Sequence, residues 1–249
     1  MSETEKEQYQ FVISVAGKNI GIEAIYGRML MYSEQYLTDR PAEFTVQSSQ
    51  EEILQDGVEF RKVNPFGRVY KGEIESILLL RKIADQLVES GVILMHGAVI
   101  AVNGEAYLFT APSGTGKTTH IRRWLENLPE AYVVNGDKPL IIGGDVPMAC
   151  GTPWCGKERM GTNAIVPLKA IVMMKRSEEN RMRPMSFIEA FPRLMEQTHR
   201  PAHTDKMRKT VRLTSELGKH VALWQFEFNN FKDDTFEVAY RALTGRTSK

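Results

Sequence analysis

At 249 residues the chain can bury a substantial core, as one large domain or as a core with a smaller lobe. Its hydrophobic share of 42% and charged share of 25% are ordinary for a globular protein, and a formal net charge of +1 excludes a global field that recruits nucleic acid. The opening Met1 to Glu7 is polar and acidic with no signal-like apolar stretch behind it, and no segment is long and apolar enough to span a bilayer. A cytoplasmic protein without a membrane partner is expected.

Over residues 8–24, Phe11, Ile13 and Val15 alternate with Val12 and Ser14, which predicts a strand, a turn at Gly17-Lys18-Asn19 and a partner strand from Ile20 to Ile25. A helix is expected over Ile25 to Leu37 and extended structure over Pro41 to Gln47. Ile74, Ile77, Leu78, Ala84, Leu87 and Val88 then recur at helical spacing until Gly91. With a boundary near Gly72, the chain reads as an N-terminal β-rich α+β lobe over 1–70 and a core over 71–249.

The core opens with two strand candidates, His96 to Val102 and Glu105 to Thr110, joined by Asn103-Gly104, the pair favoured where both central residues of a type I′ turn need φ > 0. Directly behind them stands Ala111-Pro112-Ser113-Gly114-Thr115-Gly116-Lys117-Thr118-Thr119, followed by Ile121, Trp124 and Leu125 on one face of a helix. Strand, glycine loop and helix is the context of a phosphate-binding loop. Glycines let backbone N–H groups converge on an anion, Lys117 adds a full positive charge, and the Thr118 hydroxyl can reach a magnesium ion. The usual pattern begins with glycine where this chain has Ala111. Ser113, Gly114, Thr115, Gly116, Lys117, Thr118 and Thr119 are therefore the predicted nucleotide-binding residues, and ATP with Mg2+ the predicted cofactors.

Further along, Ala131 to Val134 reads as a buried strand that delivers Asn135-Gly136-Asp137-Lys138, which supplies an acid for the metal. A loop is expected over 143–166, holding Gly151, Pro153, Trp154, Gly156, Lys157 and Glu158. Next come a strand from Leu168 to Met174, a polar turn over 175–180 and a helix face at Phe187, Phe191, Leu194 and Met195. The basic run from His199 to Arg212 is read as a solvated helix face, ahead of a late strand from Val221 to Phe228 and a closing helix from Asp234 to Leu243. Cys150 and Cys155 are too few for a disulfide scaffold and lack companions at metal-ligand spacing, so reduced thiols are expected.

The loop Ser113 to Thr119 resembles that of ATP-dependent phosphoenolpyruvate carboxykinases. Together with the His96-Gly97 strand and the hairpin it is similar to the catalytic core of HPr kinase/phosphorylase, which shares that fold. The likeness runs from about His96 to Asp137; a weaker one is carried by Gly151 to Glu158 and Pro167 to Ile171. It implies an α/β fold with a mixed, partly antiparallel sheet, as the hairpin leading into the loop also suggests. It further implies magnesium held by Thr118 and Asp137, and a histidine at His96 beside the reacting phosphate. The resembling families carry two adjacent aspartates where this chain has Gly136 and Asp137. That departure puts the general base in question. His96 and Glu158 are the candidates, each against a plainer reading, a histidine making a structural hydrogen bond and an acid on a surface loop.

The expected function is an ATP-dependent kinase that moves the γ-phosphate to a hydroxyl, either a Ser or Thr of a peptide or protein or a small-molecule alcohol, with Lys117, Asp137, His96 and Glu158 as catalytic candidates. The resemblance adds a weak expectation of a homo-oligomer. The alternative is a nucleotide-binding regulatory or assembly protein with little or no transfer, favoured by Gly136. A carboxykinase acting on oxaloacetate finds little support, since no counterpart to the substrate arginines of those enzymes stands outside the loop.

Overall fold

The computed structural model describes residues 8–63, 67–68 and 70–247. The acidic opening, 1–7, lies outside them. The chain divides into two compact units, Met1–Gln86 and Leu87–Lys249.

In the first unit, β1 (Tyr9–Val15) and β2 (Lys18–Ala24) form an antiparallel hairpin with Val15 opposite Lys18. The turn falls at Ala16-Gly17, both at positive φ (50° and 73°), and not at the expected 17–19. β3 (Phe44–Gln47) adds in parallel to β2. The helix expected over 25–37 is a single short turn pair, α1 (Arg28–Tyr32) followed by a 3₁₀ turn at Glu34–Tyr36. α2 (Gln50–Val63) was not foreseen in the sequence, and α3 (Lys71–Leu87) takes the predicted periodic stretch, which a 3₁₀ turn and Gly91 at φ 78° bring to an end.

The division thus falls at the far end of α3 and not near residue 70. The physical reason is burial. Ile74 and Leu78 of α3 pack with Ile53, Ile25 and Tyr26. The fully buried Glu75 accepts the N–H groups of Ile25 (2.6 Å) and Tyr26 (2.9 Å) and the Ser48 hydroxyl (2.5 Å), which satisfies backbone donors that a strand end would leave bare.

The second unit is an α/β fold on a mixed sheet. Its strands are β4 (Val92–Leu94), β5 (Ala98–Val102), β6 (Glu105–Thr110), β7 (Tyr132–Asn135), β8 (Leu140–Ile142), β9 (Met148–Cys150), β10 (Ile165–Arg176), β11 (Arg181–Pro184) and β12 (Ala222–Phe228). They run in the order β4-β8-β9-β10-β6-β5-β7, with β12 beside β10 and β11 beside β12. β6, β10 and β12 are parallel; the remaining pairings are antiparallel. Part of the expected 143–166 loop is therefore strand, β9 and the start of β10.

Asn103 (φ 53°) and Gly104 (φ 77°) make the predicted turn between β5 and β6, with Val102 opposite Glu105. Strand alternation then sorts side chains onto two covered faces. Val99, Leu108, Ile171 and Met173 lie with Ala190 and Leu194 of α5 (Phe187–Gln197) and Leu217 of α6 (Thr204–His220). Ile100, Phe109, Val172 and Phe226 lie with Trp124 of α4 (Lys117–Asn127) and Phe236 of α7 (Thr235–Thr244). Trp124 is fully buried, with the rings of Tyr107, Phe109, Phe236 and Tyr240 at centroid distances of 5.5–5.7 Å. This aromatic cluster seats α4, and so fixes the loop from which α4 springs.

Among the described residues no helix is long and apolar enough to cross a membrane. Cys150 and Cys155 are both free and buried.

Candidate functional site

The loop that follows β6 has the backbone of an anion cradle. Gly114 and Gly116 lie at φ +76° and +120°, where side chains are rarely tolerated, and a Cβ on Gly116 would stand 2.5 Å from Asn230 Nδ2. Among the described residues, the N–H groups of Gly116, Lys117, Thr118 and Thr119 donate to no acceptor; that of His120 is the first to find one, on Gly116 O at 3.0 Å. Free donors at a helix N-terminus fit a phosphate. The buried Lys117 folds across the loop and donates from Nζ to Ala111 O (2.7 Å) and Pro112 O (3.2 Å). Burial draws its pKa below the ordinary lysine value, against the opposing pull of Asp137.

A second wall comes from β7. Asn135, fully buried at its end, accepts the N–H groups of Asp137 (2.9 Å) and Lys138 (2.7 Å) on its side-chain oxygen and donates to Thr152 O and Oγ1. This Asx-type turn holds Asp137 in place. One carboxylate oxygen of Asp137 faces His96 Nε2 at 3.2 Å, and the other accepts Lys138 Nζ at 2.9 Å. Burial opposes ionisation of Asp137, but the hydrogen bond to His96 and the charge of Lys138 outweigh it and hold the pKa at about 2. The other ring nitrogen of His96, Nδ1, stands 3.0 Å from Gln197 Oε1 at the end of α5, so both nitrogens have partners. The Thr110 hydroxyl donates to His96 O at 2.7 Å and ties this histidine to the end of β6.

Both walls open onto one cavity of about 490 Å³. His96, Asp137, Glu158 and every predicted loop residue except Thr115 line it. Thr115 turns its hydroxyl back onto Pro112 O at 2.8 Å. Glu158 sits at the rim, half exposed, in an ion pair with Arg122 of α4 at 2.5 Å. No group of three or more His, Cys, Asp or Glu that could hold a metal occurs among the described residues, so magnesium here would take most of its ligands from phosphate and water. Thr118 and Asp137 are the protein groups on offer.

Beside Asp137 there is no room for a side chain at 136. A Cβ on Gly136 would stand 2.6 Å from Cys155 O and 3.0 Å from Met160 O. The backbone of the 155–160 segment fills the space in which a side chain at 136 would have to lie.

No family model matches the chain, and no curated protein does. Among solved structures it is similar to the HPr(Ser) kinase/phosphatase from Coxiella burnetii, at 9% identity over 60% of this chain and 90% of that one, with a TM-score of 0.37. A likeness that slight carries no argument about the reaction.

Arg176, Asn230, Gln197 and Lys138 belong to the site and were not singled out from the sequence. Arg176 ends β10, which is parallel to β6, and donates to Gly114 O (2.7 Å) and Thr115 O (3.0 Å). Its signal was its place just beyond a predicted strand, since ligands of open α/β sheets gather at the carboxyl ends of parallel strands. Asn230 lies on a loop that Arg123 of α4 holds through the carbonyls of residues 230 and 232, and nothing local in the sequence marks it.

Proposed function

We propose that the chain is an ATP-dependent kinase that transfers the γ-phosphate to a hydroxyl of a peptide, a protein or a small molecule. The observation that carries the reading is the meeting of a donor-lined glycine loop and an ionised, doubly held carboxylate in one cavity. ATP bound there supplies the phosphoryl group and, with Mg2+, a leaving group whose charge is already neutralised.

In this reading the N–H groups of Gly116 to Thr119 cradle the phosphates and Lys117 exchanges its contacts with the Ala111 and Pro112 carbonyls for phosphate oxygens. Thr118 and Asp137 hold magnesium. A carboxylate offers about four lone-pair positions. His96 and Lys138 take one on each oxygen of Asp137, which leaves positions for the metal and for the acceptor hydroxyl. Because both nitrogens of His96 are engaged, Asp137 receives the hydroxyl proton and His96 orients it. Glu158, committed to Arg122, closes the rim and is not the base.

The test is transfer from ATP labelled in the γ-phosphate, with magnesium, into peptide, protein and metabolite fractions of a desalted cell extract, with Lys117→Ala alongside. Label in one fraction that vanishes with the variant supports the kinase and names its acceptor class. Label that persists in Lys117→Ala sinks the assignment. Bound ATP with no labelled fraction turns the reading to the nucleotide-binding regulator, for which the closed space at Gly136 speaks.

A further inference from the structure

We propose that Arg176, which lines the cavity beside the loop, is a positioning residue that sets the phosphate cradle through the loop backbone and not by contact with the γ-phosphate. The inference rests on the nucleotide-binding reading above. Met173 of β10 pairs with Thr110 of β6, so the end of β10 emerges beside the strand that feeds the loop. From there the guanidinium reaches two successive carbonyls, Nη2 to Gly114 O at 2.7 Å and Nε to Thr115 O at 3.0 Å. Arg176 makes no ion pair with an acid among the described residues, and its Nε and Nη2 both go to these carbonyls.

The consequence follows from peptide geometry. In a trans peptide the C=O and the following N–H point in opposite directions. With the Thr115 carbonyl turned to the guanidinium, the Gly116 N–H is turned away from it, and that N–H has no acceptor among the described residues. Gly114 and Gly116, on either side of Thr115, have the positive φ values that allow the carbonyls to face the guanidinium. Were these carbonyls to swing inward, they would present partial negative charge to an anion in place of the donor. A planar fork suits two adjacent acceptors, and an ammonium would satisfy them less well.

A cradle set this way serves the phosphates common to ADP and ATP. The experiment measures the dissociation constants of ADP and ATP, with magnesium, for the wild type, Arg176→Ala and Arg176→Lys, together with thermal midpoints without nucleotide. Arg176→Ala is expected to weaken both nucleotides about tenfold and by equal factors. Arg176→Lys should fall between it and the wild type. Since the side chain is exposed, the nucleotide-free midpoint should move by no more than about 2 °C. If the alanine variant melts early, the ratio of ADP to ATP affinity in Arg176→Lys decides instead. A loss confined to ATP would overturn the proposal in favour of direct contact with the γ-phosphate, and unchanged affinities for both would overturn it outright. A wild type that binds neither nucleotide would instead remove the nucleotide reading on which it rests.

Discussion

Asp137 answers to three groups at once: His96 and Lys138 on its oxygens, and Asn135 beneath its backbone. If Asp137 is the proton acceptor and a metal ligand, as in the proposed kinase, Asp137→Asn is expected to lower kcat by about 10²–10⁴-fold. His96→Ala, which only frees the carboxylate to turn, should cost less, and Glu158→Ala should leave kcat within about threefold of the wild type. Steady-state rates of the three variants check this order, and a His96→Ala loss as deep as that of Asp137→Asn would make the histidine the base. At this scale the cradle was legible because its chemistry needs glycines and lysine in one contiguous run. Arg176, Asn230 and Gln197 were not, because each reaches the site by tertiary placement from far along the chain.

At the scale of elements, the segment that follows β9 is built against the end of β7. A Cβ on Gly151 would stand 1.9 Å from Thr162 O, and one on Gly136 2.6 Å from Cys155 O. Backbone lies against backbone here, without room for side chains. Gly136 is not at positive φ, so its constraint is packing and not conformation. Gly136→Ala is expected to cost about 2 kcal/mol and lower the thermal midpoint by several degrees. A midpoint within about 2 °C of the wild type would show that the segment gives way.

The β5–β6 hairpin, α5 and α7 were legible from turn chemistry and apolar spacing. β9 was not, because three residues carry no usable period, and β11 was hidden by Arg181 and Arg183, charges that an edge strand accommodates. α2 escaped because Leu54 and Val58 are exposed, 57% and 56%, while Ile53 alone among its apolar residues with described side chains is fully buried. Its helical face is therefore faint in the sequence.

For the whole molecule, pH exposes a cost placed beside the loop. His120 of α4 is fully buried, accepts the Trp124 indole N–H at 3.0 Å, and packs on the rings of Phe109 and Phe226. Burial first, then the charge of Arg123, pushes its pKa from 6.5 down to about 3. Above 6.5 the ring is neutral in both folded and unfolded chains and imposes no penalty. As pH falls below 6.5 the unfolded chain binds a proton that the folded one refuses, so stability is lost progressively toward pH 3, by about 5 kcal/mol at full extent. Asp137 adds a loss only at lower pH, as its ordinary 3.8 and then its folded value of about 2 are crossed. The midpoint should therefore fall between pH 7 and pH 5 in the wild type and fall less in His120→Gln. Parallel slopes would assign the acid sensitivity to another group.

β10 is one strand in two neighbourhoods. Its first three residues pair with β9, it meets β6 from Leu168, and over Ala170–Met173 it runs between β6 and β12. The β4-β8-β9 group is joined to the rest of the sheet through those three residues. In amide hydrogen exchange, the middle of β10 should be the slowest to open, because opening it severs both neighbours at once. The β9 junction would open earlier, carrying the 151–162 segment with it and with that segment the Thr152 contacts of Asn135, whose side chain orders the turn at Asp137. Loss of the site would then precede loss of the fold, and a partly opened molecule would keep its phosphate loop while surrendering its acid.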